Sequence, residues 1–131
     1  MKKIKFKREI TDDLIIVNAL IENKFEFRLA VDTAATHTTL DSNMLYLAGY
    51  ELKDSIGEVN IETANGIITV ELFNVKTFES LGKTLENFEV QVYDFLAHGI
   101  SSNYDGVLGL DFFHNSRFTI DLINNEIFIN D

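Results

Sequence analysis

No cysteine and no proline occur among the 131 residues. Without thiols there can be no disulfide, no thiolate nucleophile and no cysteine metal site, so the fold must stand on its core or on a partner. No linker composition or low-complexity tract interrupts the chain, and its length suits a single domain over residues 1–131. Also missing is any apolar run near the roughly 20 residues of a membrane span, so a soluble protein with no membrane partner is expected. The start, MKKIKFKR, carries the charge of a secretory leader. The segment that follows, TDDLIIVNALIE, puts Asp12 and Asp13 where an uninterrupted apolar stretch is needed. The expectation is therefore a chain that is not exported, with a cytoplasmic location.

Basic residues are scarce: 11 against 21 acidic, a net charge of −10. Five of the 11 fall within the first eight positions, which leaves six against 21 in residues 9–131. A field of that sign repels phosphate backbones and argues against nucleic acid as a partner. In the basic start, Ile4 and Phe6 alternate with Lys3, Lys5 and Lys7, the pattern of an edge strand protected by lysines.

Strand signals dominate what is present. Residues 14–21, 25–31, 57–63, 67–73, 88–95, 117–123 and 126–130 are rich in β-branched and aromatic side chains, and most alternate. Glu22-Asn23-Lys24, Asn65-Gly66 and Asn124-Asn125 supply turn residues that tolerate positive φ. Two segments read as helical. Asp41 suits the cap of a helix through SNMLYLA that stops at Gly49, and Gly109 or Asp111 opens a short turn through FFHNS. The fold class expected is all-β, or mainly β, as a small closed or sandwiched barrel.

The stretch AVDTAATHTTLD, residues 30–41, sets Asp32 at the end of an apolar strand and before small or hydroxyl-bearing residues. Ala34 and Ala35 permit close approach, while Thr33, Thr36, Thr38 and Thr39 offer hydroxyls. A half-buried carboxylate there must be met by donors, paired, or neutral. Amide hydrolysis needs a base to activate water and an acid to protonate the carbonyl or the leaving amine. Two carboxyls about 3 Å apart divide those roles, because both cannot ionise. The sequence holds one such loop, so a second carboxylate would have to come from another copy.

VDTAATHTTL resembles the active-site loop of the retropepsin-like aspartic peptidases, single-lobe relatives of pepsin. YDGVLGLDFFHNSRFTIDLINNEIFI is similar to that family's closing segment, and VNIETANGIITVEL to its flap hairpin. The resemblance implies a closed acid-protease barrel, with one short helix after the active-site loop and one near the C-terminus. It implies an aspartic endopeptidase that needs no cofactor and no metal, acting as a homodimer on a peptide or protein substrate. Asp32 would be the catalytic carboxylate, paired with its copy across a two-fold axis. Thr33 would hydrogen-bond across that axis. Ala34 stands where the family has glycine: its methyl is harmless at negative φ and unfavourable at positive φ. In the second case the chain would be a peptide-binding or assembly module of the same fold with little or no turnover. Ala64, Asn65 and Gly66 would close over the substrate. Tyr104, Asp105 and Val107 would approach its side chains, with Leu108 and Gly109 beneath the loop.

Other titratable residues read as structural. His37 falls at most on the rim of a groove, and His98 and His114 show no ligand spacing to it or to each other. Asp111 and Asp121 fall at a helix start and within a terminal strand. A blander reading is a small barrel for an apolar ligand in which Asp32 only caps a turn.

Overall fold

The computed structural model describes residues 2–8, 13–100 and 103–130; Thr11 and Asp12, which entered the reading of the N-terminus, lie outside them. In chain order the strands are β1 (Lys2–Lys5), β2 (Lys7–Arg8), β3 (Ile15–Ile21), β4 (Phe25–Val31), β5 (Thr39–Asp41), β6 (Gly57–Thr63), β7 (Gly66–Ser80), β8 (Lys83–Tyr93), β9 (Gly106–Leu108), β10 (Arg117–Asp121) and β11 (Glu126–Asn130). Helix α1 (Ser42–Leu47) follows β5, and 3₁₀ turns occupy Leu52–Asp54, Leu96–His98 and Leu110–Phe113. The fold is mainly β.

Eight strands form one sheet in the order β2-β3-β4-β9-β5-β8-β7-β6, and β1-β11-β10 form another. β3 also pairs with β7 through Ala19–Ile21, so the hydrogen-bonded neighbours run in a circuit from β3 through β4, β9, β5, β8 and β7. Inside lies a core whose fully buried members include Phe27, Leu29, Leu40, Phe73, Phe78, Leu108, Phe112 and Ile127. Each such side chain contributes about 1.5–3 kcal/mol on leaving water. Phe78 packs its ring against Phe88 and Phe112, and Phe113 stacks on Phe118 with centroids 4.0 Å apart. These contacts fasten the C-terminal 3₁₀ turn and β10 to the main sheet.

Local chemistry explains most element ends. Glu22 and Asn23, at φ 57° and 58°, turn β3 into β4, and Asn125 at 54° turns β10 into β11. The flap-like hairpin turns differently from expectation. Ala64 and Asn65 lie between the paired Thr63 and Gly66, and only Gly66 takes positive φ, at 115°.

Three other expectations are modified. The basic N-terminal strand is split between the sheets: Lys2–Lys5 pair with β11, Lys7 and Arg8 with β3, and Phe6 between them is buried. Asp41 occupies the N-cap position of α1 without capping it. Its carboxylate accepts instead from the Phe95 N–H at 3.1 Å and the Asn43 amide at 3.3 Å, which tie the helix start to the exit of β8. Finally, β7 runs on to Ser80, well beyond 67–73, and β8 begins at Lys83 and ends at Tyr93 where 88–95 was expected, so the two meet at Leu81-Gly82.

Candidate active site

Three short strands build the loop around Asp32. β9 lies between β4 and β5, parallel to β4 with Ala30 opposite Val107, and antiparallel to β5 with Thr39 opposite Val107. Residues 32–38 therefore bridge two strands separated by a third. Asp32 extends the β4 ladder by one bond, its N–H donating to the Leu108 carbonyl at 3.1 Å. The chain then turns sharply: the Ala35 N–H donates to the Asp32 carbonyl at 3.1 Å, and the Ala34 N–H to Asp32 Oδ1 at 2.9 Å. This side-chain-assisted turn holds one carboxylate oxygen fixed. Asp32 is half-buried, whereas Thr33 and Ala34 are exposed.

Beneath the loop a buried hydroxyl organises the ends. The N–H of Thr38 donates to both oxygens of Asp111 at 2.9 Å, and its Oγ1 donates to Asp111 Oδ1 at 2.8 Å. The same Oγ1 accepts the Gly109 N–H at 3.1 Å, and the Leu110 N–H donates to the Ala35 carbonyl at 2.8 Å. Asp111 is thus a structural acceptor, as expected, though its partner Thr38 was not foreseen. Two glycines permit the close packing. A methyl at Gly109 would lie 2.6 Å from the His37 carbonyl carbon, and one at Gly106 2.3 Å from the Thr39 carbonyl oxygen. The sequence signal was present in the Gly-x-Asp spacing of 109–111, but its meaning depends on a contact more than 70 residues away.

Ala34 is not among the positive-φ residues of the described chain, so its methyl meets no backbone strain. His37 is exposed and its Nδ1 lies 3.0 Å from Thr36 Oγ1. His98 sits elsewhere, with its Nδ1 2.9 Å from the Asp94 carbonyl and its ring edge-on to Tyr93. Asp121 caps the β10–β11 turn, accepting from Ile123 and Asn124.

Alternation along the paired strands decides which side chains share a face. The ladder continues past β9, since the Asp105 N–H donates to the Arg28 carbonyl and the Asp41 N–H to the Asp105 carbonyl. Leu29, Leu40 and Leu108 point into the core. Ala30, Asp32, Thr39, Asp41, Asp105 and Val107 therefore belong to the opposite face. Val107 and Asp105 are thereby brought to the same face as Asp32, though Asp105 spends one oxygen on the Arg28 N–H at 2.9 Å. Tyr104, half-buried, meets the Phe95 ring edge-on.

Ala64, Asn65 and Gly66 form the exposed end of the β6–β7 hairpin. Thr63 stabilises that end, donating to the Gly66 carbonyl at 2.8 Å and accepting the Asn65 N–H at 3.2 Å. One face of this hairpin pairs Val59 with Val70 and Ile61 with Ile68, and the other pairs Glu58 with Glu71 and Asn60 with Thr69. Val70 is buried and Ile61 and Ile68 are half-buried, whereas Val59 is exposed, so this apolar face is only partly covered.

Comparison with known proteins identifies a family and a fold. Residues 17–112, from β3 through the 3₁₀ turn that holds Asp111, match a family described as aspartyl protease. No curated protein matches the chain. Among solved structures, a retropepsin-like aspartic protease from Rickettsia conorii is similar in fold, with a TM-score of 0.73 at 21% identity over 98% of this chain and 89% of that one.

Proposed function

The chain belongs to the aspartyl protease family, and from that premise we propose that it is an aspartic endopeptidase whose site is completed by a second copy. The observation that carries this reading is the setting of Asp32. Its loop is held rigidly from below, yet Thr33 and Ala34 are exposed, and Ala34 supplies the one N–H seen on the carboxylate among the described residues. Such a loop is half of a site.

When two copies meet about a two-fold axis, the paired Asp32 carboxyls hold one proton between them. The ionised member takes a proton from a bound water as its oxygen attacks the scissile carbonyl carbon. The protonated member gives its proton to the carbonyl oxygen. Collapse of the tetrahedral intermediate then breaks the C–N bond: one carboxyl gives its proton to the leaving amine and the other takes a proton from a hydroxyl of the intermediate, which leaves the pair with one shared proton again. Thr33 holds the two loops together across the axis. The flap end at Ala64, Asn65 and Gly66 covers an extended peptide and excludes water, and its apolar face meets apolar side chains beside the scissile bond.

The test is cleavage of a peptide mixture by the native chain and by Asp32→Asn, with sedimentation run alongside. We expect a dimer in both cases, and turnover by the native chain with a bell-shaped acidic pH profile. Full turnover by Asp32→Asn would sink the mechanism.

A further inference from the structure

The face that carries Asp32 continues past Val107 into a groove that the reaction above does not use. Met44 and Leu47 of α1 form one side, and Phe95, Leu96, Ile100 and Tyr104 the other, around a cavity of about 270 Å³. That volume lies below the range of pockets that enclose a whole small-molecule ligand, and it suits a side chain. Leu47 and Leu96 are 75% and 69% exposed, so an occupant would remove aliphatic surface from water. Asp41 and Asp105 stand at its rim, and among the described residues no lysine or arginine lines it.

Continuity fixes where along a substrate this groove would act. Leu108 bonds Asp32, and Asp105 stands three residues earlier on the same ladder, about 10 Å away at roughly 3.3 Å per residue. A peptide extended along this face from the scissile bond reaches the groove with its third residue. We propose that the groove is a specificity subsite that takes a bulky apolar side chain about three residues from the scissile bond, with a lysine or arginine two residues further on, on the same face of the extended peptide, toward Asp41 and Asp105. The proposal rests on the peptidase reading for the direction of the substrate, and it names the sequence that such a substrate carries.

Binding separates the two ideas, because it needs no turnover. The probes are two labelled ten-residue peptides: one has phenylalanine at the third and lysine at the fifth position on either side of the central bond, and its twin has glycine and serine there. Fluorescence anisotropy with the full-length Asp32→Asn chain should show the first bound about tenfold more tightly, the worth of one buried side chain. In a chain that also carries Leu47→Ala and Leu96→Ala the ratio should fall toward one. Both leucines are exposed, so the core is untouched. Equal affinities, no binding of either peptide, or a ratio that survives both substitutions would overturn the subsite. A persistent ratio in a native chain that cuts nothing would support the groove and remove the peptidase reading. Cleavage of both peptides at equal rates would do the reverse.

Discussion

The hydroxyl of Thr38 donates to Oδ1 of Asp111 at 2.8 Å while accepting the N–H of Gly109 at 3.1 Å. Thr38 is fully buried, so nothing in solvent can replace either bond. Valine at position 38 keeps the shape, strands the Gly109 N–H and removes a donor from the carboxylate. We expect Thr38→Val to cost about 2–3 kcal/mol, and Thr38→Ser about 1 kcal/mol for its lost methyl. Urea denaturation of the two variants reads the difference. Equal losses would mean that the methyl, not the hydroxyl, is what matters.

Gly109 needs its hydrogen for space, not for freedom of φ. The nearest atoms to an added methyl are backbone atoms of His37 and Ala35, at 2.6 to 2.9 Å, which cannot swing aside. Gly109→Ala should therefore lower stability by about 1–3 kcal/mol through overpacking and displace the Asp32 loop, with loss of cleavage. Gly99, at φ 76° with nothing within 4 Å of an added methyl, serves as the control. Gly99→Ala should cost about 1–2 kcal/mol of strain and leave cleavage intact. A Gly109→Ala chain that cuts normally would contradict the packing argument.

Ala34 can be tested in the opposite direction. Because its φ is not positive, glycine there relieves no strain and only adds freedom to the unfolded chain. Ala34→Gly should lower stability by roughly 0.5–1 kcal/mol and change kcat no more than about threefold. A large gain in kcat, measured on any peptide the native chain cuts, would show that the methyl obstructs the site after all.

Tyr50 sets an alkaline limit. Burial pushes its phenol up to about 12, helped by the hydrogen bond to Glu22 and by the charges of Glu22 and Asp54, against the Lys76 N–H. The folded form thus keeps a proton that the unfolded chain releases near the ordinary value of 10.0. Stability from this source is complete below that value and is lost as pH rises toward 12. Denaturation midpoints taken at pH 9, 10 and 11 should fall more steeply for the native chain than for Tyr50→Phe. Parallel curves would assign the alkaline loss to other groups.

Residues 25–31 and 126–130 coincide with strands as the alternation indicated, because Phe27 and Leu29, and Ile127 and Ile129, are buried on one face and turn residues stand at an end; residues 57–63 also form a strand, although none of them is buried. Alternation failed where the wet face carries charge in quantity. Asn74, Lys76 and Glu79 conceal the second half of β7, where Val75, Phe78 and Ser80 are buried and the alternation shifts by one residue between Val75 and Phe78. The turn after it was hidden for another reason: Leu81 sits at φ 52°, a region that leucine seldom enters, and its buried side chain holds it there. β5 and β9 have three residues each, too few to show a period, and their pairing joins residues some 67 positions apart. Around the site, the Asp32 loop and the Gly109-Asp111 segment were each legible alone. Their shared hydroxyl at Thr38 was not, since no local pattern specifies which of four threonines turns inward.

The placement of β9 sets an order of events during synthesis. β4, the Asp32 loop and β5 are complete by residue 41, but the strand between them does not leave the ribosome until residues 106–108 are made. Until then Asp32 lacks the Leu108 carbonyl, Thr38 lacks both Asp111 and the Gly109 N–H, and the turn has no floor. A chain stopped between residues 41 and 106 has every residue of the Asp32 loop and no means of holding it.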